Sequence, residues 1–224
     1  YDTRGATDNL NYPTTDSLIK HVEWVQETAG RARYNVRLNQ APYGYLVWYE
    51  NGALILRVRK RPTPSPQLQT SSVSPLIGLK IVVDPGHPPG GAVGPTGLTE
   101  PDAALAVANV LERILTQRGA EVVMTRTTRD AVGLQARPIM ARQANGHAFV
   151  SLHYNAYGDG INPFAQRNGT ELYFFRPHSE PLGRAIQSRM AAYIDLPDQG
   201  VYYRSLAVVR NTWMPAVLVE GGFM

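Results

Sequence analysis

One stretch of this chain cannot contribute to a packed core. RKRPTPSPQLQTSSVSP, Arg59 to Pro75, carries prolines at 62, 64, 66 and 75 with Ser, Thr and Gln between them, a composition that stays extended and solvated. It divides the 224 residues into an accessory stretch, 1–61, a Pro/Ser-rich linker, 62–77, and a larger region, 78–224.

Ahead of the linker the pattern alternates as strands do. HVEWVQET and RARYNVRL flank Ala29-Gly30, and YLVWYE and ALILRVR flank Asn51-Gly52, a strong short hairpin signal. Four strands with little helical periodicity predict a small, partial all-β sandwich-like region. Trp24, Tyr45, Trp48 and Tyr49 read as its core, since strand aromatics more often pack than bind.

Beyond the linker, strands and helices take turns. KIVVD is an apolar run stopped by Pro-Gly. Thr99 is placed to cap a helix that carries Glu100 and Asp102 in its first turn and Leu105, Ala108, Leu111 and Leu115 at helical spacing. EVVMT, AFVSLH, TELYFF, SLAVVR and PAVLVE read as strands, and LQARPIMARQAN and EPLGRAIQSRMAAYI as helices. Alternating units of this kind predict an α/β domain, a three-layer α/β/α arrangement around a mostly parallel sheet.

Composition narrows the function classes. No apolar run approaches the roughly 20 residues of a membrane helix, and the absence of cysteine leaves His, Asp and Glu for any metal site. A net charge of +4 suits a polyanionic neighbourhood. The basic cluster RVRKR reads as a strand end and linker, so no nucleic-acid partner is expected.

Three buried strands end in a titratable residue: IVVDPGH in His87, FVSLH in His153 and AVLVE in Glu220. In open α/β sheets the carboxyl ends of the strands meet in one crevice. The Gly/Pro-rich loop after His87 can double back to bring Glu100 beside it. Two histidines and one carboxylate with an open position suit a catalytic zinc, and a second carboxylate can carry the proton. Each residue alone has an ordinary structural reading, Glu100 as a helix-dipole partner above all. Their convergence is what points to chemistry, and the residues alone leave open which glutamate is ligand and which is base. His21, His147 and His178 read as surface or structural.

On VVDPGH, GAVGPTGLTE, LERILTQRGAEVVMTR, LQAR, FVSLHYNA, GTELYFF and PAVLVEGGF, in order across about residues 80–223, the chain resembles the zinc-dependent N-acetylmuramoyl-L-alanine amidases of bacterial cell walls. The resemblance implies His87, Glu100 and His153 as zinc ligands and Glu220 as catalytic base. Asn155 and Ser151 match positions of support or substrate contact. It implies hydrolysis of the amide between N-acetylmuramic acid and L-alanine in peptidoglycan. A division-machinery or activator protein is then an expected partner, in the periplasm or cell wall, with an export signal ahead of Tyr1. A non-catalytic wall-binding module and a zinc peptidase cutting within the stem peptide are the rival readings.

Departures from the family pattern sit near the site. Pro88-Pro89 replaces two glycines and is expected to reshape the cleft rim, Pro101 stands where lysine is common, and His147 where aspartate is common. The segment after FVSLHYNA leaves no room for a long blocking helix, so an open site is expected. The family's closing helix is expected beyond Met224.

Overall fold

The computed structural model describes residues 10–13, 15–62, 75–158, 161–162, 165–166 and 168–224. Most of the expected linker, residues 63–74, lies outside the described residues, as do positions 159, 160, 163, 164 and 167 of the segment expected to leave the site open.

The first strands form two separate pieces. β1 (Leu10–Pro13), β2 (Ile19–Thr28) and β3 (Arg31–Leu38) make an antiparallel sheet, and β4 (Gly44–Glu50) pairs only with β5 (Ala53–Arg59) in a hairpin. Asn51 and Gly52 turn that hairpin with φ of 49° and 77°, the left-handed pair that matches strand twist and that this dipeptide tolerates. The region is all-β, as expected, but its aromatics divide. Trp24 is buried, whereas Tyr49 is 72% exposed and does not belong to a core. Alternation along the hairpin sends Val47, Tyr49, Leu54 and Leu56 to one open face.

Residues 75–224 build the expected three layers. β6 (Lys80–Pro85), α1 (Glu100–Gln117), β7 (Glu121–Met124), α2 (Ala136–Gln143), β8 (Ala148–Asn155), β9 (Thr170–Phe174), α3 (Glu180–Tyr193), β10 (Asp198–Tyr203) and β11 (Ala216–Phe223) follow in turn. The sheet order is β10-β9-β11-β8-β6-β7. Only β9 against β11 is antiparallel. Strand alternation loads both faces. Val82, Phe149, Tyr173 and Leu218 pack with Met214 and Ala141 of α2 on one side. Val83, Val150, Leu172, Val217 and Val219 pack on the other, against Ala108 and Leu111 of α1 and Ile186 and Met190 of α3. None of the described helices is long and apolar enough to cross a membrane.

Local signals explain most boundaries. The Thr99 hydroxyl accepts from the Asp102 N–H and caps α1. Pro138 falls in the first turn of α2, where a missing N–H costs nothing. One expected strand is absent. SLAVVR instead forms a single 3-10 turn at Ala207–Arg210, from which Val208 and Val209 are buried in the same cluster as Phe149, Met214 and Leu218. The strand beside β9 is instead DQGVYY.

Candidate active site

Parallel pairing places the site. β6, β8 and β11 run side by side with Pro85 opposite Leu152 and His153 opposite Glu220, so their carboxyl ends open into one crevice. The loop after His87 folds back through a Val93–Thr99 bridge, and the Glu100 N–H donates to the Ala92 carbonyl at 2.8 Å. Two glycines permit the close approach. A Cβ on Gly86 would lie 2.4 Å from the His153 imidazole, and one on Gly91 would lie 2.8 Å from the Pro101 ring.

Glu100 is buried between the two histidines. Its Oε2 lies 3.2 Å from His87 Nε2 and its Oε1 2.9 Å from His153 Nδ1. The Ala92 and Tyr154 N–H groups donate to it as well. Burial opposes its ionisation, yet the hydrogen bonds from His153 and His87 prevail and hold its carboxyl far below the usual carboxylate range. The His87 imidazole is correspondingly raised, first by its bond to Glu100, with burial opposing. His87 Nδ1 faces the Pro89 carbonyl at 2.9 Å. A carbonyl can only accept, so Nδ1 carries a proton, and Nε2, 3.2 Å from Glu100 Oε2, is the nitrogen that would turn to a metal on losing its own. Donor atoms of His87, Glu100 and His153 all lie within 4.8 Å of one another, a group able to hold a metal ion.

Glu220 stands beside this group. Its Oε2 is buried with no hydrogen-bond partner among the described residues. Burial, then the charges of Glu100 and Glu171, push its carboxyl up to about 8. Asn155 does not point its amide at an open cleft, since Nδ2 donates to Glu171 Oε1 at 2.8 Å. Ser151 is fully buried and donates to Asp84 Oδ2 at 2.6 Å. Pro88 lines, with Gly91, Val93, Thr99, Pro101 and Arg129, a cavity of about 290 Å³ whose lining includes none of His87, Glu100, His153 and Glu220. His147 is structural, its Nδ1 accepting from the Lys80 N–H at 2.9 Å.

Sequence reasoning passed over Asp84, Arg126, Arg137 and Glu171. Asp84 is fully buried and accepts from Thr125, Ser151 and Arg137. Glu171, opposite Glu220 in register, accepts from Asn155 and from the Tyr173 hydroxyl. A signal existed for Asp84, an acidic residue ending an apolar run. The arginines gave none, because a charged side chain is ordinarily a surface residue.

Residues 81–224 match the model of the family described as N-acetylmuramoyl-L-alanine amidase. The chain is 30% identical over 185 residues to the N-acetylmuramoyl-L-alanine amidase LytC of Bacillus subtilis, covering 80% of this chain and 36% of that protein. It is 34% identical over 165 residues to the probable cell wall amidase LytH of Staphylococcus epidermidis, 71% and 53% of the two chains. It thus spans from about a third to about half the length of these curated relatives. Among solved structures, the amidase AmiC2 of Nostoc punctiforme superposes with a TM-score of 0.59 at 34% identity, over 65% of this chain and 79% of that one. The catalytic domain of CwlV from Bacillus (Paenibacillus) polymyxa var. colistinus gives 0.58 at 34%, over 65% and 80%. With the family model matched over well more than half its length, this chain belongs to the N-acetylmuramoyl-L-alanine amidase family.

Proposed function

We propose that the chain is a zinc amidase that cuts the bond between N-acetylmuramic acid and the L-alanine of the stem peptide, outside the cytoplasm where peptidoglycan lies. The observation that carries this is the unpaired, buried Oε2 of Glu220 set beside a His-Glu-His donor group. The donor set fits zinc: two imidazole nitrogens and one carboxylate suit that ion, and three protein ligands leave a coordination position free.

His87, Glu100 and His153 would hold the metal. Zinc in such a site lowers the pKa of bound water and polarises the scissile carbonyl. The protein's own part is to fix donors and move a proton. The Pro89 carbonyl fixes the His87 tautomer, and the Ala92 and Tyr154 N–H groups hold Glu100 in place as a carboxylate. Glu220 takes the proton of the attacking water on its carboxylate and returns it to the leaving nitrogen of L-alanine. Burial makes that carboxylate a stronger base than one in water, and a nearby cation would draw its pKa back down.

The test is digestion of purified peptidoglycan with and without a chelator, with mass analysis of the products. Free stem peptides with a new L-alanine amino terminus, lost on chelation and in His153→Ala, support the proposal. Shortened stem peptides would indicate a peptidase, and wall binding without release a binding module.

A further inference from the structure

The turn that carries His87 presents four successive carbonyls to two buried arginines. Arg126 donates from Nε to Pro85 O at 3.0 Å and from Nη2 to Gly86 O at 2.8 Å. Arg137 donates from Nη1 to Pro85 O at 2.8 Å, and from Nη2 to His87 O at 3.2 Å and Pro88 O at 2.9 Å. Arg126 Nη2 also reaches Pro101 O at 2.7 Å, so one guanidinium joins the turn before His87 to the residue after Glu100. The two arginines are 5% and 3% exposed, and Arg137 forms an ion pair with Asp84 at 2.7 Å.

Placing a second buried cation next to a cation site is electrostatically unfavourable, so charge does not account for Arg126. Hydrogen-bond geometry does. The backbone at His87 is left-handed, with φ of 53°, a conformation a non-glycine residue holds only when its surroundings impose it. With these four carbonyls held by the two arginines, the turn presents His87 Nε2 to Glu100 Oε2 at 3.2 Å. The same contacts suit Pro88-Pro89 in place of glycines. Neither proline has an N–H to satisfy, and their carbonyls are taken by Arg137 and by His87 Nδ1.

We propose that Arg126 and Arg137 are positioning residues of the metal site, Arg126 setting the separation of His87 from Glu100 and Arg137 fixing the left-handed turn at His87. This rests on the zinc reading above. Lysine keeps the charge but cannot spread donors over several carbonyls, so Arg126→Lys and Arg137→Lys test the fork itself. Zinc affinity, read by competition with a chromophoric chelator, should fall about 10- to 100-fold in each, as for other residues that orient metal ligands. The urea midpoint of the metal-free protein, measured in parallel, separates this from general destabilisation. Folded lysine variants that bind zinc as the wild type does would overturn the inference. Should either variant fail to fold without metal, refolding across a zinc titration reads the same quantity. A midpoint moved to higher zinc supports positioning, and an unmoved midpoint overturns it. A wild-type protein that binds no zinc would instead sink the underlying reading.

Discussion

The two ends of the central sheet use the same device for opposite purposes. At the carboxyl end, Arg126 and Arg137 gather the carbonyls of Pro85 to Pro88 and fix donor atoms around a crevice where Glu220 stays unpaired. At the amino end, Arg59 of β5 donates to the carbonyls of Gly146, Trp213 and Asn145 at 2.6, 3.2 and 3.2 Å. Its guanidinium lies 4.7 Å from the centre of the Trp213 ring. Tyr43 adds a bond to His147 O at 2.7 Å, and the Tyr45 N–H one to Thr212 O at 2.7 Å. There the clamp fastens the β4–β5 hairpin to the sheet. A guanidinium facing a carbonyl cluster is therefore a fastening in both places. What makes one end a site is the carboxylate left without a partner.

The sharpest way to break the comparison is to remove that carboxylate's basicity. Glu220→Gln keeps the shape and should lower turnover on peptidoglycan about 10³-fold, with zinc stoichiometry unchanged by metal analysis. Retained turnover would place the base elsewhere.

The same residue has a second, pH-dependent signature in the metal-free protein. Its folded pKa of about 8 lies above the ordinary carboxylate value of 4.5. The folded state therefore binds more protons than the unfolded state between those values, and stability falls as pH rises through that window. Glu220→Gln removes this slope. Chelated protein should gain on the order of 3 kcal/mol at pH 8 relative to wild type, and little at pH 4, in urea unfolding curves. The amino end has no carboxylate among its clamp residues, so none of its variants should remove this slope.

Arg59→Ala tests that end. It strands three carbonyls and should cost about 2 kcal/mol of stability, while activity at saturating substrate stays within about twofold because no contact reaches the crevice. A Gly44→Ala change tests the same joint without altering charge. Its Cβ would lie 2.1 Å from the Trp213 carbonyl oxygen, a backbone clash that only separation of the hairpin relieves.

How much of this was legible depended on whether a residue's role was local. Buried apolar runs ending in His87, His153 and Glu220 showed the crevice, because strand period and chain reversal are written in neighbouring residues. Thr99 and Asn51-Gly52 marked their cap and turn for the same reason. Arg59 sat in a basic cluster that read as a strand end, and Arg126 and Arg137 closed two quoted segments without a role of their own being read. Each is defined by carbonyls distant in sequence, 41 residues away for Arg126 and Pro85, which no local pattern encodes. DQGVYY hid as a strand because a half-exposed edge needs little apolar periodicity. SLAVVR misled because two adjacent buried valines imitate a fully buried strand.

Ser151 gives the smallest expected effect and the finest distinction. A support or substrate role was equally open from its place two residues before His153. In the fold its hydroxyl is fully buried and donates to Asp84 Oδ2 at 2.6 Å, while Asp84 keeps Thr125 and Arg137 as further donors. Ser151→Ala should then cost about 1 kcal/mol of stability, measured by urea unfolding, because one of three donors to a buried carboxylate is lost. A substrate contact would raise KM for muropeptides and leave stability alone. A supporting hydroxyl does the reverse, so an unchanged KM with a lowered unfolding midpoint assigns Ser151 to the scaffold beneath the metal ligands.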